Sequence, residues 1–156
     1  MFSRFYTFHK GRLSINSFVT ENTLAKIFCE VGYNNVILLD CGYNQLTNIP
    51  PEIGSLENLK EFNCGFNFIK EFPPEIGNLF NLQKLRCHNN YLERLPREIG
   101  ALKNLKHVNL NVNNLTFLPV EMADLENIEE FYCAKNKFAG FPIQLRNILN
   151  LPKFYC

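Results

Sequence analysis

The stretch Leu82–Asn104, LQKLRCHNNYLERLPREIGALKN, decides the fold. Laid against the rest of the chain at its own length, it recurs. Val36–Asn58, Leu59–Asn81, Leu105–Asn127 and Ile128–Asn150 repeat its pattern without gaps, and Leu151–Cys156 begins a further unit, so the period is 23 residues. A fixed period of this size marks stacked supersecondary units, because one short coil buries its apolar side chains only against identical neighbours.

Numbering the slots of each unit from its first residue gives every column a physical reason. Slots one, four, eleven, fourteen, eighteen and twenty-one are apolar throughout; the second unit shows Leu59, Phe62, Ile69, Phe72, Ile76 and Leu79. Slots three to five, such as Lys84-Leu85-Arg86, are expected to be a strand that stacks in parallel on its neighbours, alternate residues pointing in and out. Slot nine is asparagine in all five full units (Asn44, Asn67, Asn90, Asn113, Asn136). An amide there can satisfy buried backbone donors and acceptors where the chain bends. Slot fifteen is proline (Pro50, Pro73, Pro96, Pro119, Pro142), which fixes φ at the entry to the return side. The following PPEIGSL, PPEIGNL and PREIGAL read as short 3₁₀ or helical turns, with Gly54, Gly77 and Gly100 expected to end them.

LQKLRCHNNYL, from Leu82 to Leu92, resembles the leucine-rich repeat pattern L-x-x-L-x-L-x-x-N/C-x-L, and the resemblance covers residues 36–156. The continuation LPREIGALKNL is similar to intracellular Ras-associated scaffolds of the Scribble and Ras-suppressor type. The resemblance implies an α/β fold: a right-handed leucine-rich-repeat solenoid, or horseshoe, with a parallel β-sheet on its concave face and short 3₁₀ or helical turns on its convex side. It also implies a role in binding other proteins rather than catalysis.

Two domain segments follow, an N-terminal arm and capping helix over residues 1–35 and the repeats over 36–156. In ENTLAKIFCEV, Leu24, Ile27, Phe28 and Val31 fall on one helical stripe that Gly32 stops, the pattern of a cap over the first coil. Residues 1–12 read equally as a disordered arm or an added strand. Ile37 and Leu38 are apolar at outward slots, where that arm is expected to fold over the sheet. At the other end LPKFYC supplies a strand with no return segment, which suits a fragment of a longer protein, a partner-covered edge, or self-association through the exposed strand.

At 156 residues, with 46% hydrophobic and 20% charged content, the chain suits one soluble folding unit. Sixteen basic residues against fifteen acidic ones give no global field for nucleic acid or an anionic membrane. No apolar run is long enough to span a bilayer, and the N-terminus lacks a secretory core, so a cytoplasmic location is expected. The sequon Asn114-Leu115-Thr116 carries no weight without a secretory context.

Cys41, Cys64, Cys87, Cys133 and Cys156 all occupy slot six, where Leu110 stands in the remaining full unit. A leucine in the series argues for an apolar filler rather than a metal or a nucleophile. Stacked strands also offer parallel ligands, whereas zinc needs converging ones. Disulfides between neighbouring coils fit poorly on Cβ spacing, so buried reduced cysteines are expected, with Cys29 the accessible thiol. His9, His88 and His107 share no spacing with a nucleophile or acid that would make a catalytic or metal site. Neither catalysis, cofactor nor metal is expected.

Outward strand slots are where recognition belongs. The candidate partner-binding residues form a basic middle, Lys84, Arg86, His88, Lys106 and His107, between acids at Glu61 and at Glu129 with Glu130. Asp40, Asn63 and Asn109 add polar groups, and Tyr43, Phe66 and Tyr132 add aromatic anchors, a mixture that protein interfaces favour. The expected function is a noncatalytic scaffold that holds a protein partner on its concave face, with a small GTPase or its regulator implied by the resemblance. The alternative is the targeting segment of a larger kinase, phosphatase or ubiquitin ligase. Nucleic-acid binding by the basic middle is disfavoured by its acidic flanks.

Overall fold

The structure, a computed structural model, describes residues 5–16 and 18–140 in full and residues 153–155 as backbone. The expectations placed on Pro142, Cys156 and the side chains of the final partial unit lie outside the described residues.

Each unit supplies the strand its slots predict. After a hairpin of β1 (Tyr6–His9) and β2 (Arg12–Ile15) come β3 (Leu38–Asp40), β4 (Glu61–Asn63), β5 (Lys84–Arg86), β6 (His107–Asn109), β7 (Glu130–Tyr132) and β8 (Lys153–Tyr155). They form one eight-stranded sheet in chain order, antiparallel between β1 and β2 and parallel from β2 onward. Register holds the 23-residue period, with Leu39 beside Phe62, Phe62 beside Leu85 and Leu85 beside Val108. These slot-four side chains are buried, as are the described ones at slots one and twenty-one and, except for the partly buried Phe138, at slot eleven, and they build one continuous core. The result is a leucine-rich-repeat solenoid with its sheet on one side.

On the opposite side, among the described residues, run the 3₁₀ turns Pro51–Ser55, Pro74–Asn78, Arg97–Ala101 and Val120–Asp124, each entered from an extended proline. The glycines sit inside these turns rather than ending them, and none has a positive φ. Close packing is their reason. A Cβ on Gly77 would lie 2.7 Å from Glu98 Cβ and 2.8 Å from the Glu98 carbonyl oxygen, and Gly54 and Gly100 meet the following coil in the same way. A second set of asparagines, at slot twenty-three, ties this side together. Asn58, Asn81, Asn104 and Asn127 each donate to a carbonyl of the preceding coil at 2.8–3.0 Å.

In the N-terminal segment the described residues, 5–12, resolve in favour of the added strand, and residues 1–4 lie outside the described residues. Lys10 and Gly11 carry φ of 48° and 79° between paired His9 and Arg12, the two-residue turn that matches strand twist. The hairpin lies beside β3, not over the sheet: Gly11 accepts from the Ile37 and Leu38 amides, and Ile37 packs on the bare Gly11 backbone. That contact, rather than a covering arm, accounts for the apolar slot. The helix α1 (Glu21–Val31) begins at Thr20, whose hydroxyl accepts from the Thr23 amide, and ends at Gly32 with φ 81°. It buries Leu24, Ile27 and Phe28. Strand β2 and helix α1 make up an enlarged first coil, since Leu13 lies beside Leu39, 26 residues on, rather than 23.

Candidate protein-binding surface

The bend after each strand is set by the slot-nine asparagines. Asn67 donates to the Cys41 and Cys64 carbonyls, both at 3.0 Å, and accepts from the Leu46 amide at 2.9 Å. Asn90, Asn113 and Asn136 repeat the arrangement with their own neighbours. Asn44 keeps its donor bonds, but its Oδ1 has no partner, because the coil before it turns into α1 instead of supplying a slot-eleven amide.

Immediately before each asparagine, slot eight adopts a left-handed conformation: Tyr43, Phe66, Asn89, Val112 and Lys135 all have φ between 53° and 58°. This region costs an L-residue roughly 1–2 kcal/mol, most for a β-branched one such as Val112. The repeat therefore fixes the backbone at slot eight and leaves its side chain free to vary.

The fixed backbone arrays side chains in columns. Tyr43 and Phe66 stack face to face with centroids 4.3 Å apart and planes 10° apart, and Tyr43 is 76% exposed. His88 meets Phe66 edge-on at 5.1 Å and leans over Gly65, where a Cβ would fall 2.6 Å from its Cε1. The glycine at slot seven of the Leu59–Asn81 unit is thus the seat for the histidine of the Leu82–Asn104 unit. Burial there lowers the His88 pKa, with Arg86 adding to the effect, and His88 Nδ1 has no hydrogen-bond partner. Across the next slots Phe68 and Tyr91 stack at 5.9 Å, a pair that the sequence reading missed. Their 23-residue separation was the available signal.

Charges on the sheet face pair across strands. Lys84 Nζ donates to Glu61 Oε1 at 2.9 Å, while Arg86 approaches Glu61 Oε2 at only 3.7 Å. The Lys84 bond holds the Glu61 carboxyl below its usual range against the opposing effect of burial. Asn63 donates to Asp40 Oδ1 at 2.9 Å, and Arg12, a residue not among the candidates, stands 3.8 Å from Asp40. Lys106 donates to Glu129 at 2.8 Å, and His107 lies 3.3 Å from Glu130 and 3.9 Å from Glu129. The basic middle is therefore locally compensated rather than a positive field, because register sets opposite charges on adjacent strands. Among the described residues, depressions open on this face. One of about 300 Å³ is lined by Lys84, Arg86, His107, Asn109, Glu130 and Tyr132 together with Leu85 and Val108. Another, about 200 Å³, lies beside Arg12, Leu38, Leu39, Asp40, Glu61, Asn63 and Arg86. His88 and His107 engage different neighbours and form no joint site.

Cys41, Cys64 and Cys87 are free and buried, and Cys29 is exposed. Burial pushes the three buried thiols far up, so none is a thiolate at neutral pH. Cys133 is disulfide-bonded, contrary to the expectation of reduced cysteine. Among the described residues no group of three metal-ligating side chains comes together, and no helix is long and apolar enough to cross a membrane.

Two family profiles match the chain, one described as leucine-rich repeats in two copies over residues 34–76 and one as leucine-rich repeat over residues 80–138. Among solved structures, a leucine-rich repeat protein of Leptospira interrogans is 33% identical with a TM-score of 0.81, over 90% of this chain and 35% of that one. The leucine-rich repeat ectodomain of the receptor kinase GASSHO1/SCHENGEN3 from Arabidopsis thaliana, in complex with CASPARIAN STRIP INTEGRITY FACTOR 2, is 26% identical with a TM-score of 0.71, over 88% of this chain and 16% of that one. An internalin of Listeria monocytogenes, at 19% identity and a TM-score of 0.64 over 84% of this chain and 35% of that one, shares the fold. The chain thus spans about a third or less of the solved proteins it matches. No curated protein matches its sequence.

Proposed function

We propose, from the premise that the chain belongs to the leucine-rich repeat family, that it is a noncatalytic scaffold whose concave sheet holds a protein partner. Domains of this family are protein-interaction modules as a rule. One observation carries the placement of the site: the exposed Tyr43–Phe66 stack stands on a backbone locked by asparagine ladders, beside rows of paired charges on the same sheet. Exposed aromatics on a rigid frame lose little conformational entropy on binding, which is what makes them interface anchors.

The partner we propose is a small GTPase or its regulator, in a cytoplasmic signalling setting, on the strength of the resemblance of LPREIGALKNL to Ras-associated scaffolds. Titration calorimetry against a panel of small GTPases, loaded with GDP or a GTP analogue, tests it. Replacing Phe66 and Tyr132 together by alanine should weaken binding ~10-fold or more, whereas Phe80→Ala on the opposite side should not. Unchanged affinity in the double variant would move the site off the sheet, and no binding to any member would end the GTPase assignment. A second reading is that of a targeting segment within a larger kinase, phosphatase or ubiquitin ligase. It is favoured by the chain's short span of its solved relatives, one of them a receptor kinase ectodomain.

A further inference from the structure

The slot-five column runs Asn63, Arg86, Asn109 across β4, β5 and β6 in strict register. Its donors are not equally engaged. The Asn63 amide gives one of its two N–H groups to Asp40 at 2.9 Å. The Asn109 Oδ1 accepts from the Asn111 amide at 3.1 Å, while its Nδ2 donates to nothing among the described residues. The Arg86 guanidinium donates no hydrogen bond among the described residues either, and its contact is Glu61 Oε2 at 3.7 Å, on a carboxylate whose other oxygen already holds Lys84 at 2.9 Å. Arg86 is 44% exposed at its side chain and borders both of the depressions described above.

A cation with unspent planar donors next to an unspent amide donor, at the wall of a depression of about 300 Å³, is a receptor for a planar anion. We propose that Arg86 and Asn109 receive the carboxylate of an Asp or Glu side chain of the protein partner. This inference rests on the concave-face reading above. Charge decides between a carboxylate and a doubly charged phosphate. Glu130 lines the same depression and Glu61 the adjoining one, and Lys84 is committed to Glu61, so a single negative charge is all that Arg86 is placed to balance. At the low end of ligand-pocket sizes, the depression suits a side chain projecting from an extended segment rather than a folded element.

Panning a random-peptide phage library on the domain tests this. Each displayed peptide is fused through its C-terminus, so no free terminal carboxylate takes part. Peptides recovered are then synthesised with amidated C-termini and measured by fluorescence polarisation. The expected result is a shared Asp or Glu whose replacement by Asn or Gln weakens binding to the native domain ~10-fold or more but leaves binding to Arg86→Gln little changed, the signature of direct coupling. Arg86→Lys should restore only part of the loss, because an ammonium lacks the planar fork. Matching melting temperatures establish that the variants fold. Peptides that bind through Phe66 and Tyr132 without a common acid would overturn the Arg86 assignment while leaving the concave-face reading intact. Binders indifferent to Arg86, Phe66 and Tyr132 alike would overturn both, and failure to enrich any peptide above bare support would count against the receptor.

Discussion

His88 is the residue at which local packing becomes a solution property. Seated on Gly65 and edge-on to Phe66, it takes up a proton less readily in the folded protein than in the unfolded chain, where histidine titrates near about 6.5. A base whose folded pKa is lowered leaves stability untouched above the unfolded value. Below it the unfolded state binds more protons, so stability falls as pH drops through the lowered folded pKa. Urea midpoints should therefore decline on acidification from about pH 6.5, and His88→Gln should flatten that decline. Equal slopes in the two proteins would show that the seat does not perturb the imidazole. The Glu61 carboxyl has its pKa lowered, so its contribution is lost in a separate window, below the ordinary carboxylate range.

Among elements, the 3₁₀ turns pack closely from one coil to the next. Gly77→Ala places a methyl group against Glu98 backbone and side chain at less than 3 Å, so neighbouring turns must separate or the coil must shift. The expected cost is about 1–3 kcal/mol, seen as a lower urea midpoint at unchanged m-value. A neutral result would mean that the turns yield more easily than the strands. The strands and the inward columns were legible in the sequence because a 23-residue recurrence fixes both the position and the face of each residue. The purpose of Gly54, Gly77 and Gly100 was not, since a single unit shows a glycine near a turn but not the coil above it. The same limit applies to the site. Sequence placed Asp40, Glu61, Lys84, Arg86 and His107 on one face, yet which charges cancel depends on side-chain reach across strands. It also left residues 1–12 open, because the first coil departs from the period and no other unit predicts its geometry.

At the scale of the whole molecule, the three free slot-six cysteines report how far the stack opens. Their thiols are buried in successive coils, so each reacts with a small thiol reagent only when its coil separates from its neighbours. Cys29, exposed on α1, should be labelled at once under native conditions, and Cys64, flanked by described coils on both sides, far more slowly. Cys64 modified as fast as Cys29 would mean that the core is not closed as described. The left-handed residue before each slot-nine asparagine has a different bearing. Tyr, Phe, Asn, Val and Lys already occupy that position on the same backbone. The molecule therefore works as a type case in which the letter can be changed without disturbing the line, and a new binding specificity can be set by exchanging side chains at Tyr43, Phe66, Asn89, Val112 and Lys135.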